Sequence, residues 1–148
     1  MVSKKQLWVK HSRLPGAGKG LFTKTDIPKG SPIVEYKGKI SDWKAVKDYV
    51  TNGYLFYVNR NYVINALPYA KALARYANDA KGLTRLKGLV NNSEYVIEGR
   101  KVYIKSTRTI LAGQEILVGY GKEYWDIIRE NGKDDSSSHI RNRVSVKK

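Results

Sequence analysis

Gly113-Gln114-Glu115-Ile116-Leu117-Val118-Gly119-Tyr120-Gly121 is a short apolar run, Ile116-Leu117-Val118, closed at both ends by glycine and followed at once by a tyrosine. A run of that length between turn residues is the size of one buried strand. Working back along the chain, the same unit recurs. Tyr95-Val96-Ile97 and Val102-Tyr103-Ile104 flank a Glu98-Gly99 turn, and Leu55-Phe56-Tyr57-Val58 and Tyr62-Val63-Ile64 flank Asn59-Arg60-Asn61. Pro32-Ile33-Val34-Glu35-Tyr36 reads as a further strand, with Lys39-Ile40 resuming after Gly38. Gln6 to Lys10 and Lys19 to Thr23 enclose the loop Pro15-Gly16-Ala17-Gly18. Many short strands punctuated by turns predict a mainly β fold.

Helix is scarce. Ser41 is the expected cap of a helix reaching Tyr49, with Asp42 in its first turn and Trp43, Val46 and Tyr49 on one face. Alanine-rich Tyr69 to Tyr76 predicts a helical turn or two, Asn78 to Leu89 a loop, and Tyr124 to Arg129 a short terminal helix. After Asn131-Gly132 the composition turns polar and serine-rich. Residues 1–131 are therefore expected to be one domain and 132–148 a basic, flexible tail.

The chain has 148 residues, no cysteine and two histidines, His11 and His139, far apart in sequence. Disulfides, thiolate nucleophiles and cysteine-ligated zinc are excluded by inventory, and no metal site is expected. No apolar run reaches the roughly 20 residues of a membrane span, and the first residues lead into a strand, so the expectation is a soluble intracellular protein without membrane contact. A formal net charge of +15 favours polyanions as partners, although a charged, solvated surface explains it equally well.

Gly16-Ala17-Gly18-Lys19-Gly20 invites a phosphate-loop reading, but Arg13 stands where a Walker loop needs glycine and Gly20 where it needs serine or threonine. No helix follows, so the dinucleotide fingerprint fails as well. The plain alternative is a turn with positive φ at its glycines.

Taken in order, Gly18-Lys19-Gly20-Leu21-Phe22, Glu35-Tyr36-Lys37-Gly38, Arg75-Tyr76-Ala77-Asn78 and the 113–121 run resemble the SET-domain protein lysine methyltransferases, over about Leu7 to Trp125. The resemblance implies several small curved sheets, with the last motif threaded past the asparagine segment as a C-terminal pseudoknot, and a short terminal helix. It implies S-adenosylmethionine as cofactor, bound by Lys19, Gly20 and Leu21 through the backbone, and by Tyr54, Arg75, Asn78 and Asp79. Trp125 is assigned to packing on adenine where the family has zinc-binding cysteines. It makes Tyr120 and Tyr36 the catalytic residues and places Tyr36, Tyr95, Val118 and Tyr120 along the substrate channel. The chain departs from the family at Asp79, where histidine is usual, and at Asn91-Asn92, where asparagine-cysteine is usual.

Methyl transfer to lysine needs an aligned, dry channel and a deprotonated amine, whose reference pKa is near 10.4. Tyrosines suit its walls, offering ring faces to the alkyl stem and hydroxyls to the nitrogen. The substrate this reading implies is a protein with an exposed lysine, most simply a histone tail in the nucleus or on chromatin, approached through nucleosomal DNA. Two alternatives stay open: a basic nucleic-acid-binding β domain, and a degenerate SET domain that binds without transferring methyl.

Overall fold

Backbone pairing follows the alternation of the sequence closely. The computed structural model describes residues 1–46, 54–82 and 85–121, together with the backbone of 140–141. Its strands, in chain order, are β1 Leu7–His11, β2 Lys19–Thr23, β3 Pro32–Glu35, β4 Lys39–Ser41, β5 Leu55–Asn59, β6 Tyr62–Asn65, β7 Ser93–Glu98, β8 Lys101–Ser106, β9 Glu115–Ile116 and β10 Ile140–Arg141. One α-helical turn, α1, covers Trp43–Val46, and 3₁₀ turns cover Lys4–Gln6 and Leu73–Tyr76. The chain divides into two compact units, residues 1–36 with 73–119 and residues 37–72 with 120–148.

The first unit holds two three-stranded sheets, ordered β1-β2-β9 and β3-β8-β7. In the first, β1 runs antiparallel to β2 from Leu7 opposite Thr23 to His11 opposite Lys19, and Leu21 and Phe22 of β2 face Ile116 and Glu115 of β9. In the second, β7 and β8 form a regular hairpin from Ser93 opposite Ser106 to Glu98 opposite Lys101, turning at Gly99, whose φ of 65° is the left-handed value that glycine adopts without strain. Leu21, Ile27, Ile33, Val102, Ile104, Ile110 and Ile116 are fully enclosed. The run 115–118 forms only two residues of regular strand. Beyond them, Leu117 bridges Asn78 and Val118 bridges Ser93, both in parallel.

Among the described residues, the second unit contains a four-stranded sheet ordered β10-β5-β6-β4. The β5–β6 hairpin pairs Asn59 with Tyr62, so its turn is shorter than the asparagine-rich triplet suggests, and the Asn59 side chain accepts from the Asn61 N–H at 2.8 Å. Val46, Leu55, Tyr57 and Val63 form its apolar cluster, with Trp43 edge-on to Tyr57 at 5.9 Å between ring centroids. The expected cap moves by one residue. Ser41 pairs with Val63 as the end of β4, and Asp42 caps the turn instead, its carboxylate accepting from the Ala45 N–H at 2.8 Å. The rest of the helix expected to reach Tyr49, the expected terminal helix and most of the tail lie outside the described residues. Within the tail stretch, Ile140–Arg141 runs parallel to Leu55–Phe56. The alanine-rich stretch is helical only over Leu73–Tyr76, preceded by single turns at Ala66–Tyr69 and Tyr69–Ala72.

No helix among the described residues is long and apolar enough to cross a membrane.

Candidate functional site

In the first unit the glycine loop and the crossing run meet. Gly16 and Gly18 have φ of 75° and 73°, so the loop bends as only glycine does cheaply, and open space lies where a side chain at Gly18 would stand. The Ser12 N–H closes the loop on the Gly18 carbonyl at 2.8 Å. Among the described residues, nothing lies within 4 Å of the Cβ side of Gly18, while its carbonyl is held by Ser12.

Asn78 ties this loop to the crossing run. Its Nδ2 donates to the Lys19 carbonyl at 2.9 Å, while its own carbonyl accepts from the Val118 N–H at 2.8 Å. One of the two amide N–H donors is used on Lys19, and Oδ1 is the acceptor of that side chain. Leu21 and Val118 are fully buried, and Lys19 is exposed on the edge of β2.

The segment after Asn78 is locked by a reciprocal pair. Asp79 Oδ1 accepts from Asn91 Nδ2 and from the Lys81 N–H, each at 2.8 Å, and Asn91 Oδ1 accepts from the Ala80 N–H at 2.8 Å. Asp79 is thus a buried turn-former. Arg75, on the 3₁₀ turn just before, lies with its guanidinium 5.0 Å from the Tyr76 ring centroid. Tyr36 is buried, its N–H bonded to the Val102 carbonyl, and Tyr95 meets its ring edge-on at 6.0 Å. These two expected channel residues do come together.

Of the remaining expected residues, Tyr54 and Tyr120 belong to the second unit. Tyr54 is half-buried at the entry to β5, its carbonyl accepting from the Ala66 N–H, and Tyr120 is buried. Trp125 lies outside the described residues.

Sequence reasoning quoted Glu115 and Asn92 within motifs without assigning either a role, and it passed over Ser12. Glu115 is 3% exposed, and both carboxylate oxygens are used: Ser12 Oγ donates to one at 2.7 Å and the Arg13 N–H to the other at 3.0 Å. A Cβ added at Gly20 would collide with Glu115 Oε2. Gly20 is therefore required by a side chain from the crossing run, as well as by whatever lies against its backbone. Asn92 holds that run from the other side, donating to the Glu115 carbonyl at 2.9 Å and accepting from the Leu117 N–H at 3.0 Å. The available signal was a lone acid between Gly113 and an apolar strand, since a buried carboxylate must find donors.

Comparison with known proteins identifies the family and the fold. Residues 18–121 match the SET domain. The chain is 29% identical over 131 residues to N-lysine methyltransferase KMT5A-A of Xenopus laevis, an alignment covering 79% of this chain and 37% of that protein. Among solved structures, the methyltransferase domain of human PR domain-containing protein 2 superimposes with a TM-score of 0.58 at 24% identity, covering 82% of this chain and 80% of that one. A Polycomb Repressive Complex 2 of Chaetomium thermophilum, in a humanized mutant form, gives a TM-score of 0.62 at 25% identity over 78% of this chain and 15% of that one.

Proposed function

The chain belongs to the SET-domain family, and on that premise we propose that it is a protein-lysine N-methyltransferase that uses S-adenosylmethionine. The observation that carries the reading is the Asn78 clamp. One residue joins the glycine loop to the crossing run, its side chain on the Lys19 carbonyl and its main-chain carbonyl on the Val118 N–H, and beside the open Cβ side of Gly18 it offers an amide oxygen suited to an ammonium group. These are the features a zwitterionic amino-acid moiety requires, so the residues fit the cofactor.

Bound there, the cofactor supplies an electrophilic methyl group on a sulfonium. The backbone of Lys19, Gly20 and Leu21 would lie along it, with Asn78 Oδ1 accepting from its ammonium. Arg75, Asp79, Tyr54 and Trp125 would complete the binding set, Asp79 by fixing the turn through Asn91 rather than by direct contact. Tyr120 would orient the substrate amine through its hydroxyl. Tyr36 and Tyr95 would pack along the lysine stem, and the fully buried Val118 would leave room at that wall for a methylated nitrogen. No strong base is needed, because a dehydrated channel beside a positive sulfonium favours the neutral amine.

The whole of residues 1–131 is taken as the catalytic domain, a histone tail lysine as the substrate, and nucleosomal DNA as the feature that draws this basic chain to it. Calorimetry with S-adenosylmethionine on the wild type and Asn78→Ala, and methyl transfer to histones and nucleosomes by the wild type and Tyr120→Phe, test the proposal. Binding lost with Asn78 and transfer lost with Tyr120 are the expected results. A wild type that binds no cofactor would return the chain to the nucleic-acid-binding reading.

A further inference from the structure

The positive charge is unevenly placed. Residues 1–25 contain Lys4, Lys5, Lys10, Arg13, Lys19 and Lys24 and no acid; the first carboxylate is Asp26, and it already accepts from the Ala112 N–H at 2.8 Å. This stretch is also the one that folds into the β1–β2 hairpin, with β1 at the edge of its sheet. The pairing of Trp8 with Phe22 and of Lys10 with Gly20 sets those residues on one face, and two-residue alternation brings Lys24 to the same side.

Trp8 stands in the middle of that face and is 42% exposed. The Lys10 ammonium lies 4.6 Å from its ring centroid and 4.5 Å from that of Phe22, and the Lys24 ammonium lies 5.2 Å from Trp8. The backbone beneath is fixed. The Lys24 N–H donates to the Gln6 carbonyl at 2.7 Å, Gln6 Nε2 donates to Thr25 Oγ1 at 2.9 Å, and Ser3 and Gln6 form a capping box around the turn that carries Lys4 and Lys5.

Two ammonium groups gathered on one ring repel each other, and an anion between them removes that cost. The ring meanwhile restrains two side chains whose rotamer entropy is otherwise lost on binding. Because its surface already carries both ammonium groups, the indole organises cations and is not free to stack on a base. The target is accordingly a phosphate backbone, and a DNA duplex presents phosphates at high linear density, about one charge per 1.7 Å of axis.

We propose that the Trp8–Lys10–Lys24 face of the β1–β2 hairpin docks duplex DNA through its phosphates. The proposal locates the DNA contact of the functional reading above and rests on that part of it. The test is fluorescence anisotropy of a labelled duplex with the full chain, from about 50 to 200 mM salt. It compares the wild type, the pair Lys10→Ala/Lys24→Ala, and a control pair of equal charge on exposed lysines elsewhere, Lys39→Ala/Lys101→Ala.

Each phosphate contact contributes about 0.9 to the slope of log K against log salt, so the Trp8-face pair is expected to lose about 1.8 and the control pair well under half of that. Trp8→Ala is expected to weaken binding about three- to tenfold, with Trp8→Phe intermediate, because a ring of either kind still gathers the ammonium groups. Equal losses in the two pairs would overturn the proposal in favour of diffuse charge. Tighter binding of a single strand of the same length would overturn the duplex assignment. Equally tight, Lys10- and Lys24-dependent binding of a polyglutamate peptide would replace DNA by an acidic protein. Calorimetry with S-adenosylmethionine on the same samples separates the two ideas, since the Trp8-face pair should bind cofactor as the wild type does. A wild type that binds DNA through this face but no cofactor would refute the methyltransferase reading alone.

Discussion

Each of the two units has its own apolar core, and in the first the run 115–118 is held by directional polar contacts as well. In the second, the hairpin sheet rests on Val46, Leu55, Tyr57, Val63 and the edge-on Trp43, an apolar cluster read directly from period-two alternation. In the first, the run 115–118 is gripped by polar groups from distant parts of the chain: Ser12 Oγ and the Arg13 N–H on the Glu115 carboxylate, the Asn92 side chain on the backbone of 115 and 117, and the Asn78 carbonyl on the Val118 N–H, with the Asn78 side chain on Lys19. Apolar contact is non-directional and tolerates small shifts, whereas hydrogen bonds fix atoms to within a few tenths of an ångström. A segment that must present backbone to a small ligand needs the second kind. The two regions should therefore fail differently, one by loss of stability and the other by loss of binding.

The largest expected effect is in the second unit. Tyr57→Ala should cost about 3–5 kcal/mol, read as a lowered midpoint in urea unfolding, because it empties a fully buried aromatic site and strips Trp43 of its ring partner. A smaller loss is expected at the polar grip. Gly20→Ala should cost about 3 kcal/mol, because its methyl displaces a carboxylate that is not free to swing away: both its oxygens are held. The two positions should be coupled. In a Glu115→Ala background the same Gly20→Ala change meets no carboxylate and should cost less than in the wild type, and strict additivity would show that the grip is not the reason for glycine there. Glu115→Gln keeps the shape but has one acceptor oxygen where two are used: the Arg13 N–H can keep it, and Ser12 Oγ must turn to accept from the new amide N–H, for a loss of about 1–2 kcal/mol and a weakening of S-adenosylmethionine binding larger than that of Tyr57→Phe.

The contrast also explains what the sequence made legible. Strand positions in both units follow from alternation and turn glycines, and the β1–β2, β5–β6 and β7–β8 hairpins fall where the pattern puts them. The cap at α1 was misplaced by one residue because Ser41 and Asp42 are both good caps, and only the pairing of Ser41 with Val63 decides between them. Local pattern has no access to such a long-range pairing. For the same reason Gly20 was legible as a loop glycine while its collision partner was not, since Glu115 is brought to it by the fold alone. Asn78 stood out through the family resemblance, but the division of its amide, nitrogen to Lys19 and oxygen left over, is a fact of geometry. The crossing run itself was expected only from the resemblance. Its strand is two residues long, and the rest is isolated bridges with no periodic signature.

The sharpest version of the comparison is also the smallest in energy. Asn91 is only half-buried, so in Asn91→Ala water can reach Ala80 N–H and the Asp79 carboxylate, limiting the cost to about 1 kcal/mol. Because the pair sits one residue from Asn78, its removal should nevertheless loosen the segment that holds Lys19, accelerating hydrogen exchange at Ala80 and at Val118 and lowering affinity for S-adenosylmethionine several-fold. A change in the second unit, such as Val63→Ala, compared at urea concentrations that give both variants the same residual stability, should leave exchange at Val118 unaltered. If instead both variants open Val118 to the same degree, the two units unfold as one, and the polar grip contributes stability without any special hold on the glycine loop. If only Asn91→Ala does so, the Asp79–Asn91 pair is what fixes the segment that holds the glycine loop.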